Sequence, residues 1–372
     1  MKELIIGTNE AGQRLDKFLG KYMKLAPRSF FYKMLRKKNI TLNGKKASGS
    51  EIIFQGDHIK LFLSDETIDK FSDEITDQFS YITEKALKKT SGEGSGTRRK
   101  SSSGKTEPGR ADLDIIYEDS HTIFINKPVG MLSQKAKPED ISLVEHLIAY
   151  LMDSGQIRPE ELRTFRPSVC NRLDRNTSGL VAAGKTLAAL QDLSAMFRER
   201  SMKKYYLCLV KGHVQRNSYV EGYLVKDDKT NRVTVAREPV KGAVPVATEY
   251  RPLQQGRFIE KEGGGLPGDG NRGIREGTDV TLLEVHLITG RTHQIRAHLA
   301  SVGHPLIGDY KYGDRKINDR FCREYGLTSQ LLHSYRLCMP VCVGELEELS
   351  GREITASPPE RFEMICRDCG VM

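Results

Sequence analysis

The sequence predicts an α+β protein in which a small N-terminal α/β domain precedes a larger domain on a mixed, mainly antiparallel β-sheet with flanking helices. Three observations support this fold class. Short strand-like runs are joined by turns, amphipathic runs with helical spacing lie between them, and a polar, basic stretch divides the chain. We therefore place the small domain at residues 1–64, a flexible basic linker at 65–111 and the larger domain at 112–372.

The small domain combines two helical patterns with strand and turn signals. Residues 13–22 and 29–38 carry apolar side chains at helical spacing. Residues 40–45 are typical of a strand that enters an Asn-Gly turn, and residues 51–63 predict a strand, a turn and a second strand. Both helices carry many lysines and arginines, and spacing alone leaves open whether these form a solvated face or a surface for RNA.

Two stretches are typical of irregular chain. Residues 88–110 contain no Leu, Ile, Val, Phe or Tyr. Because such a segment has little apolar surface to bury, it is predicted to be a flexible linker. Residues 256–277 are rich in glycine between two strand-like runs, which predicts a long surface loop inserted into a hairpin.

The larger domain alternates strands with short helices. Residues 113–119 and 122–126 alternate like a pair of strands, and residues 186–200 have helical spacing. The apolar runs at 205–210 and 281–288 predict buried strands. Strands joined largely by hairpins favour the mixed, mainly antiparallel sheet.

Composition narrows the classes of partner and compartment. The formal charge of +9 and pI of about 9.0 favour a polyanion, although charge alone does not separate nucleic acid from another anionic surface. A mean hydropathy of −0.47 without a long apolar run argues against a membrane protein, and the N-terminus lacks a secretion signal. Seven scattered cysteines favour a reducing cytoplasm. Cys366 and Cys369 supply only two of the four ligands of a structural zinc site, so we expect no metal.

Residues 171–186, NRLDRNTSGLVAAGKT, allow two interpretations. Residues 179–186 fit the phosphate-loop pattern G-x-x-x-x-G-K-[ST]. A phosphate loop follows a buried strand, however, whereas residues 171–178 are polar and residues 180–183 resemble the strand itself. We therefore reject a nucleotide-binding loop. Asp174 lies between Arg172 and Arg175, and by itself it would be interpreted as a turn aspartate.

Two further motifs change the interpretation of Asp174, because together with its own stretch they match one family. Residues 171–179 match H-R-L-D-x-x-T-S-G except at Asn171, residues 204–206 match K-x-Y, and residues 290–298 match G-R-T-H-Q-I-R-x-H. In this order, and across residues 113–342, the chain resembles the large-ribosomal-subunit (Rlu, RluA-type) family of pseudouridine synthases. This resemblance implies that an RNA uridine is converted to its C-glycoside isomer without a cofactor.

The resemblance also implies roles for individual residues. Asp174 becomes the catalytic carboxylate, Arg296 its guanidinium partner, and Tyr206 the ring that stacks on the target base. Arg172 is then expected to fill the place that the base vacates in the RNA. Leu180, or its neighbour Val181, is expected to pack beneath the base.

A second resemblance concerns residues 12–63. They are similar to a small RNA-binding domain named after a small-subunit ribosomal protein, whose second helix and following turn lie against RNA. That similarity implies backbone contacts by five residues of this segment, which are Arg28, Ser29, Lys33, Arg36 and Lys37.

Together these resemblances predict a cytoplasmic, monomeric isomerase that acts on ribosomal RNA of the large subunit. Asn171 is a departure, because the family usually has histidine there. Two alternatives stay open: a non-catalytic RNA-binding or ribosome assembly factor, and a synthase that acts on transfer RNA.

Overall fold

The computed structural model describes residues 1–71, 113–227, 230, 232–260 and 277–372. Its N-terminal part is a four-stranded antiparallel sheet, in the order β1-β4-β2-β3, covered by three helices. The elements are β1 (Lys2–Ile5), α1 (Leu15–Tyr22), α2 (Arg28–Arg36), β2 (Ile40–Leu42), β3 (Lys45–Lys46), β4 (His58–Leu61) and α3 (Asp65–Phe71).

The Asn-Gly turn forms as predicted between β2 and β3. Asn43 and Gly44 have φ angles of 50° and 74°, the left-handed conformations that a tight hairpin requires of both central residues. The predicted strand at residues 51–54 is wrong, because Ile52 forms only an isolated bridge with Arg14.

Helix α3 lies at the start of the segment predicted as a linker. Ile68 is buried in the N-terminal core, and Phe71 packs against that core. The first residues of the segment thus form a helix whose apolar side chains pack on the small domain. The polar stretch at residues 88–110 lies outside the described residues.

The larger part of the chain forms an eleven-stranded sheet with helices packed on it. Nine strands follow the order β11-β10-β12-β13-β9-β14-β8-β6-β5, while β15 pairs with β14 and β7 pairs with β8. The strands are β5 (Ile115–Glu118), β6 (Thr122–Lys127), β7 (Ser168–Val169), β8 (Ser178–Gly184), β9 (Lys203–Lys211), β10 (Ser218–Asp227), β11 (Arg232–Ala236), β12 (Val244–Phe258), β13 (Thr278–Leu287), β14 (Leu332–Cys338) and β15 (Glu353–Thr355). The helices are α4 (Leu143–Asp153), α5 (Leu187–Glu199), α6 (Gln294–Ser301), α7 (Arg315–Tyr325) and α8 (Glu360–Asp368), with 3₁₀ turns at Glu161–Arg163 and Gly344–Leu349.

This sheet confirms the predicted mixed, mainly antiparallel architecture. Strands β8 and β14 pair in parallel, and the neighbouring pairs β6–β8, β9–β14 and β9–β13 are antiparallel. The glycine-rich loop predicted at residues 256–277 begins later than expected, because Gly256 and Phe258 still belong to β12. Residues 261–276 lie outside the described part of the chain.

Strand β8 confirms the rejection of a phosphate loop. Residues 180–183 lie inside this fully buried strand, as predicted. The Lys185 ammonium donates to Glu118 Oε1 at 2.8 Å and to the carbonyl of Asp119 at 2.6 Å. Thr186 caps α5 by accepting from the Ala189 amide, and it donates to Glu345 at 2.6 Å. Lys185 and Thr186 therefore serve the packing of β8 and α5.

Candidate active site

Asp174 lies in the turn between β7 and β8, at the edge of a cleft of about 850 Å³. Its backbone carbonyl accepts from the Thr177 amide at 3.0 Å, which closes the turn. About a quarter of its side chain is exposed, so the carboxylate is open to the cleft. The turn needs glycine at position 179, because a Cβ there would lie 2.2 Å from the Ser334 carbonyl oxygen of β14.

The segment after β6 holds this turn from one side. The Ser133 hydroxyl accepts from the Leu173 amide at 3.0 Å and donates to the Leu173 carbonyl at 3.1 Å. Gly130 donates its amide to the Arg175 carbonyl at 2.9 Å, and Arg175 Nε returns a bond to the Gly130 carbonyl at 3.0 Å. Since Leu173 and Arg175 are both held, the backbone of Asp174 between them is fixed.

Lys127 adds buried hydrogen bonds between the same segment and the Asp174 turn. Its buried ammonium donates to the carbonyls of Pro128 and Met131 at 2.9 Å and of Arg175 at 3.3 Å. Burial lowers the pKa of Lys127 to about 7, although the charge of Asp174 acts in the opposite direction. Lys127 therefore joins the end of β6 to the turn that carries Asp174.

Asn171 holds the turn from the other side. Its side-chain nitrogen donates to the Leu180 carbonyl at 3.2 Å, and its side-chain oxygen accepts from the Ala182 amide at 2.9 Å. Cys170, just before it, already donates its amide to the Ala182 carbonyl at 2.7 Å. The amide of Asn171 therefore continues the β7–β8 pairing beyond the end of β7.

Arg296 is the ionic partner of Asp174. Its Nη1 lies 3.1 Å from Asp174 Oδ2, while Nε and Nη2 donate to the two carboxylate oxygens of Asp309 at 2.7 and 2.9 Å. Burial acts to raise the pKa of Asp309, but the hydrogen bonds and charge of Arg296, together with backbone hydrogen bonds from Lys311 and Tyr312, hold that pKa below its ordinary value. Asp309 therefore fixes two sides of the guanidinium and aims the third at Asp174.

The start of α6 sets the position of Arg296. Gln294 is buried, and its Nε2 donates to the Ala247 carbonyl and to Thr248 Oγ1, each at 2.9 Å. Its Oε1 accepts from Thr289 Oγ1 at 2.8 Å and from the Arg291 amide at 3.1 Å. These four bonds tie the first turn of the helix to β12 and to the segment after β13.

His293 precedes α6 and also faces the carboxylate. Its Nε2 lies 3.8 Å from Asp174 Oδ2, and its Nδ1 lies 3.0 Å from the Tyr312 hydroxyl, which accepts from the Val233 amide. Burial lowers the pKa of His293, opposed by the charge of Asp174 and assisted by that of Arg296. A neutral imidazole therefore lies beside the Asp174–Arg296 pair.

Tyr206 forms part of the cleft wall on β9. It is buried, and burial raises its pKa to about 12, so the phenol stays protonated at neutral pH. Tyr205 points to the opposite face of the strand, where it stacks on His286 with ring centroids 4.8 Å apart. The alternation thus assigns Tyr206 rather than Tyr205 to the cleft.

Comparison with known proteins agrees with this arrangement. Residues 121–301 match the model of the RNA pseudouridylate synthase family, and residues 13–59 match the S4 domain. The chain therefore carries an RNA pseudouridylate synthase domain and an S4 domain. It is therefore an isomerase that forms pseudouridine, with an S4 domain before the catalytic domain.

The relatives match nearly the whole chain. It is 28% identical to ribosomal large subunit pseudouridine synthase C of Vibrio cholerae, over 88% of this chain and 85% of the relative. It is 29% identical to the protein of the same name in Escherichia coli, over 91% of this chain and 88% of the relative. The solved structure of human RNA pseudouridylate synthase domain containing 4 has a TM-score of 0.51 at 20% identity, over 69% of this chain and 92% of that one, which supports the fold.

The synthase cleft contains most of the catalytic-domain residues that the sequence suggested. Asp174, Tyr206, Arg296 and the exposed Arg172 all line it. Leu180 does not, because it is fully buried in a separate core cluster with Phe124. Side chains alternate along β8, so its neighbour Val181 shares the core cluster of Tyr206 instead.

In the S4 domain, the five suggested RNA contacts are all exposed. They lie on α2 and at its C-cap, the residue that ends the helix, and they are Arg28, Ser29, Lys33, Arg36 and Lys37.

Sequence reasoning missed the residues that support the Asp174 turn and Arg296. Ser133 and Lys127 lie far from Asp174 along the chain, and nothing in their local pattern shows what they contact. Asp309 lies within residues 113–342, the stretch that resembles the family, but its local pattern indicates no role. The described residues contain no group of three or more His, Cys, Asp or Glu that could hold a metal ion. Within those ranges no helix is long and apolar enough to cross a membrane.

Proposed function

We propose that this enzyme converts specific uridines of large-subunit ribosomal RNA to pseudouridine. The observation that carries the proposal is the Asp174 carboxylate, which is open to a cleft and paired with a guanidinium that Asp309 holds. The named relatives support the choice of ribosomal RNA. The chain's excess of basic residues is consistent with it.

Asp174 is the proposed catalytic carboxylate. It acts in its ionised form, either as a nucleophile at the sugar or as a base on it. Arg296 Nη1, 3.1 Å from Asp174 Oδ2, orients the carboxylate. The glycosidic C1′–N1 bond breaks, the uracil turns, and a C1′–C5 bond forms while C5 loses a proton and N1 gains one. Because atoms and electrons balance within the nucleoside, this chemistry requires no co-reactant.

Tyr206 and Arg172 are proposed to handle the displaced base. A uridine must leave its stack to reach Asp174, which costs a few kcal/mol. Stacking on an aromatic ring returns about 1–3 kcal/mol per base, and Tyr206 lies on the cleft wall. The exposed Arg172 is suited to enter the place that the base leaves.

The S4 domain is proposed to bind the RNA backbone through α2. The four basic side chains and one serine on its exposed surface suit phosphate contacts, which position an enzyme without reading sequence. We further propose that the protein works as a cytoplasmic monomer. Its seven cysteines are free thiols, which suits a reducing cytoplasm.

The test compares wild type with Asp174→Asn on unmodified transcripts of large-subunit ribosomal RNA, without nucleotide. Asparagine keeps the shape of the side chain but cannot ionise, so we expect pseudouridine formation to fall at least about a hundredfold. Equal product from both proteins would overturn the role of Asp174. Absence of product from wild type would indicate an assembly factor, and product on transfer RNA transcripts alone would identify the other RNA class as the substrate.

A further inference from the structure

Lys204 is a buried cation that the residues around Asp174 do not use. It lies on β9 with 7% of its surface exposed, and it lines the catalytic cleft. Its ammonium reaches toward Gly290, where a Cβ would be 3.7 Å from Nζ. Lysine is almost never buried without a partner.

Across the described residues the ammonium of Lys204 has no hydrogen-bond or ion-pair partner. Lys127 shows what a structural lysine looks like in this fold, because its ammonium donates to three backbone carbonyls. The contrast leaves the open cleft as the place where Lys204 Nζ can meet a partner.

The surroundings of Lys204 favour an anionic ligand over a neutral one. Burial lowers the pKa of Lys204, and the charge of nearby Arg200 lowers it further. A neutral carbonyl would leave these two cations repelling each other, whereas an anion attracts both. The rest of the cleft also favours an anion. Among the described residues that line it Asp174 is the one acidic residue, and the basic ones are Arg172, Arg175, Arg198, Arg200, Lys204, Arg291 and Arg296.

The position of Lys204 relates this anion to the substrate. Residues 204 and 206 lie two apart on one strand, so their side chains share a face about 6.8 Å apart along it. A base on Tyr206 therefore brings its own backbone to the level of Lys204. Arg200, exposed and in a left-handed conformation with φ of 64°, ends α5 beside it.

We propose that Lys204 and Arg200 form a phosphate subsite, which binds the RNA backbone next to the nucleotide whose base lies on Tyr206. This inference rests on the proposed function, because it takes RNA as the substrate. It adds a binding role for the lysine of the K-x-Y motif. The lysine holds the backbone while the base is displaced, and it takes no part in bond making.

Equilibrium binding of the large-subunit ribosomal RNA transcript, measured over a series of KCl concentrations, tests the subsite. Lys204→Met removes the charge but keeps a side chain suited to a buried position. We expect at least about tenfold weaker binding, as for the loss of a hydrogen bond to a charged group. The slope of log affinity against log salt should become shallower by about 0.7–0.9, the value for one phosphate contact.

Lys203→Met is the matched control, because Lys203 is exposed on the opposite face of the same strand. Its salt slope should equal that of wild type. Lys204→Arg keeps the charge and should restore most of the slope. Arg200→Met alters an exposed side chain, so it tests the same subsite even if Lys204→Met does not fold.

An unchanged salt slope in both Lys204→Met and Arg200→Met would overturn the inference. So would a loss of kcat in Lys204→Met with unchanged RNA affinity, because that result would assign Lys204 to the base. Pseudouridine formation by wild type is measured on the same transcript. If wild type forms no pseudouridine, the proposed function is contradicted. The binding slopes would still decide whether Lys204 contacts a phosphate.

Discussion

Asn171 stands where the family usually has histidine, and its side chain makes the two hydrogen bonds that another strand residue would make with its backbone. It donates to the Leu180 carbonyl and accepts from the Ala182 amide. A neutral imidazole also has one donor and one acceptor, so histidine is able to make a related pair of bonds. The departure from the family pattern therefore preserves donor and acceptor capacity three residues before Asp174.

We predict that Asn171→Asp destabilises the protein by about 1–3 kcal/mol, because a carboxylate faces the Leu180 carbonyl without a proton to donate. Asn171→His should lose less, since it retains a donor and an acceptor. Urea unfolding at pH 7 measures both, and turnover of the transcript shows whether the catalytic turn has moved. Equal stability of wild type and Asn171→Asp would mean that the two side-chain hydrogen bonds of Asn171 do not stabilise the fold.

The residues of the site differ in how far sequence identifies them. Asp174 and Arg296 were predicted as partners because both lie in recognisable motifs, and the structure places them 3.1 Å apart. Asp309 completes the same network from thirteen residues beyond Arg296. Only the fold brings Asp309 to Arg296, because the sequence around a single carboxylate in a loop does not indicate this contact.

At the scale of elements, β8 shows where pattern reasoning succeeds and where it stops. Its apolar run identified a buried strand, and the structure confirms the strand. The run does not reveal which of Leu180 and Val181 faces the cleft side, because a strand buried on both faces lacks polar alternation. The choice depends on register with β6 and β14, which involves residues distant in sequence.

The parallel pairing of β8 with β14 contains a buried histidine. His333 Nε2 donates to the Ala356 carbonyl at 3.0 Å, which leaves Nδ1 to accept from the Ser178 hydroxyl at 2.9 Å. The ring is therefore neutral in the folded protein. Burial lowers the pKa of His333 to about 4, despite the opposing bond to Ala356.

We predict that this histidine makes stability depend on pH between about 6.5 and 4. In that window the unfolded chain binds the proton and the folded chain does not, so stability falls as pH falls. From pH 8 to pH 5 the loss from His333 is about 2 kcal/mol, because stability changes by at most about 1.4 kcal/mol per pH unit inside the window. Above pH 7.5 both states are neutral, and the effect vanishes.

Urea unfolding of wild type and His333→Asn at pH 8 and pH 5 measures this dependence. Asparagine does not titrate, so the difference in stability between the two pH values should be smaller in the variant by about 2 kcal/mol. His298 is also buried, with a pKa lowered to about 4 by burial, and it titrates in both proteins. The same pH difference in wild type and variant would contradict the prediction.

At the scale of the whole molecule, two of the surfaces that carry several basic residues are relevant to RNA. One lines the cleft around Asp174, and the other lies on α2 of the S4 domain. The overall charge of +9 predicted a polyanion partner but not this distribution. If both surfaces contact one RNA, they contribute separately to its salt dependence, since each phosphate contact releases its own counterions.

The last prediction distinguishes RNA contacts by α2 from the non-specific effect of net charge. It uses two full-length variants that each lose four positive charges. Glutamine replaces four basic residues of α2 and its C-cap in the first variant, namely Arg28, Lys33, Arg36 and Lys37. In the second it replaces four exposed basic residues of α7 and α8 that do not line the cleft, namely Arg315, Lys316, Arg361 and Arg367.

The first variant should bind the ribosomal RNA transcript with a salt slope that is shallower by roughly 2.8–3.6, because each of four lost phosphate contacts removes about 0.7–0.9. Its kcat at saturating RNA should stay near that of wild type, since the α2 surface lies in the S4 domain and Asp174 in the other domain. The second variant has the same net charge as the first, so it shows how much of the effect is non-specific. Equal slopes in the two variants would mean that α2 contacts RNA no more than any other basic surface.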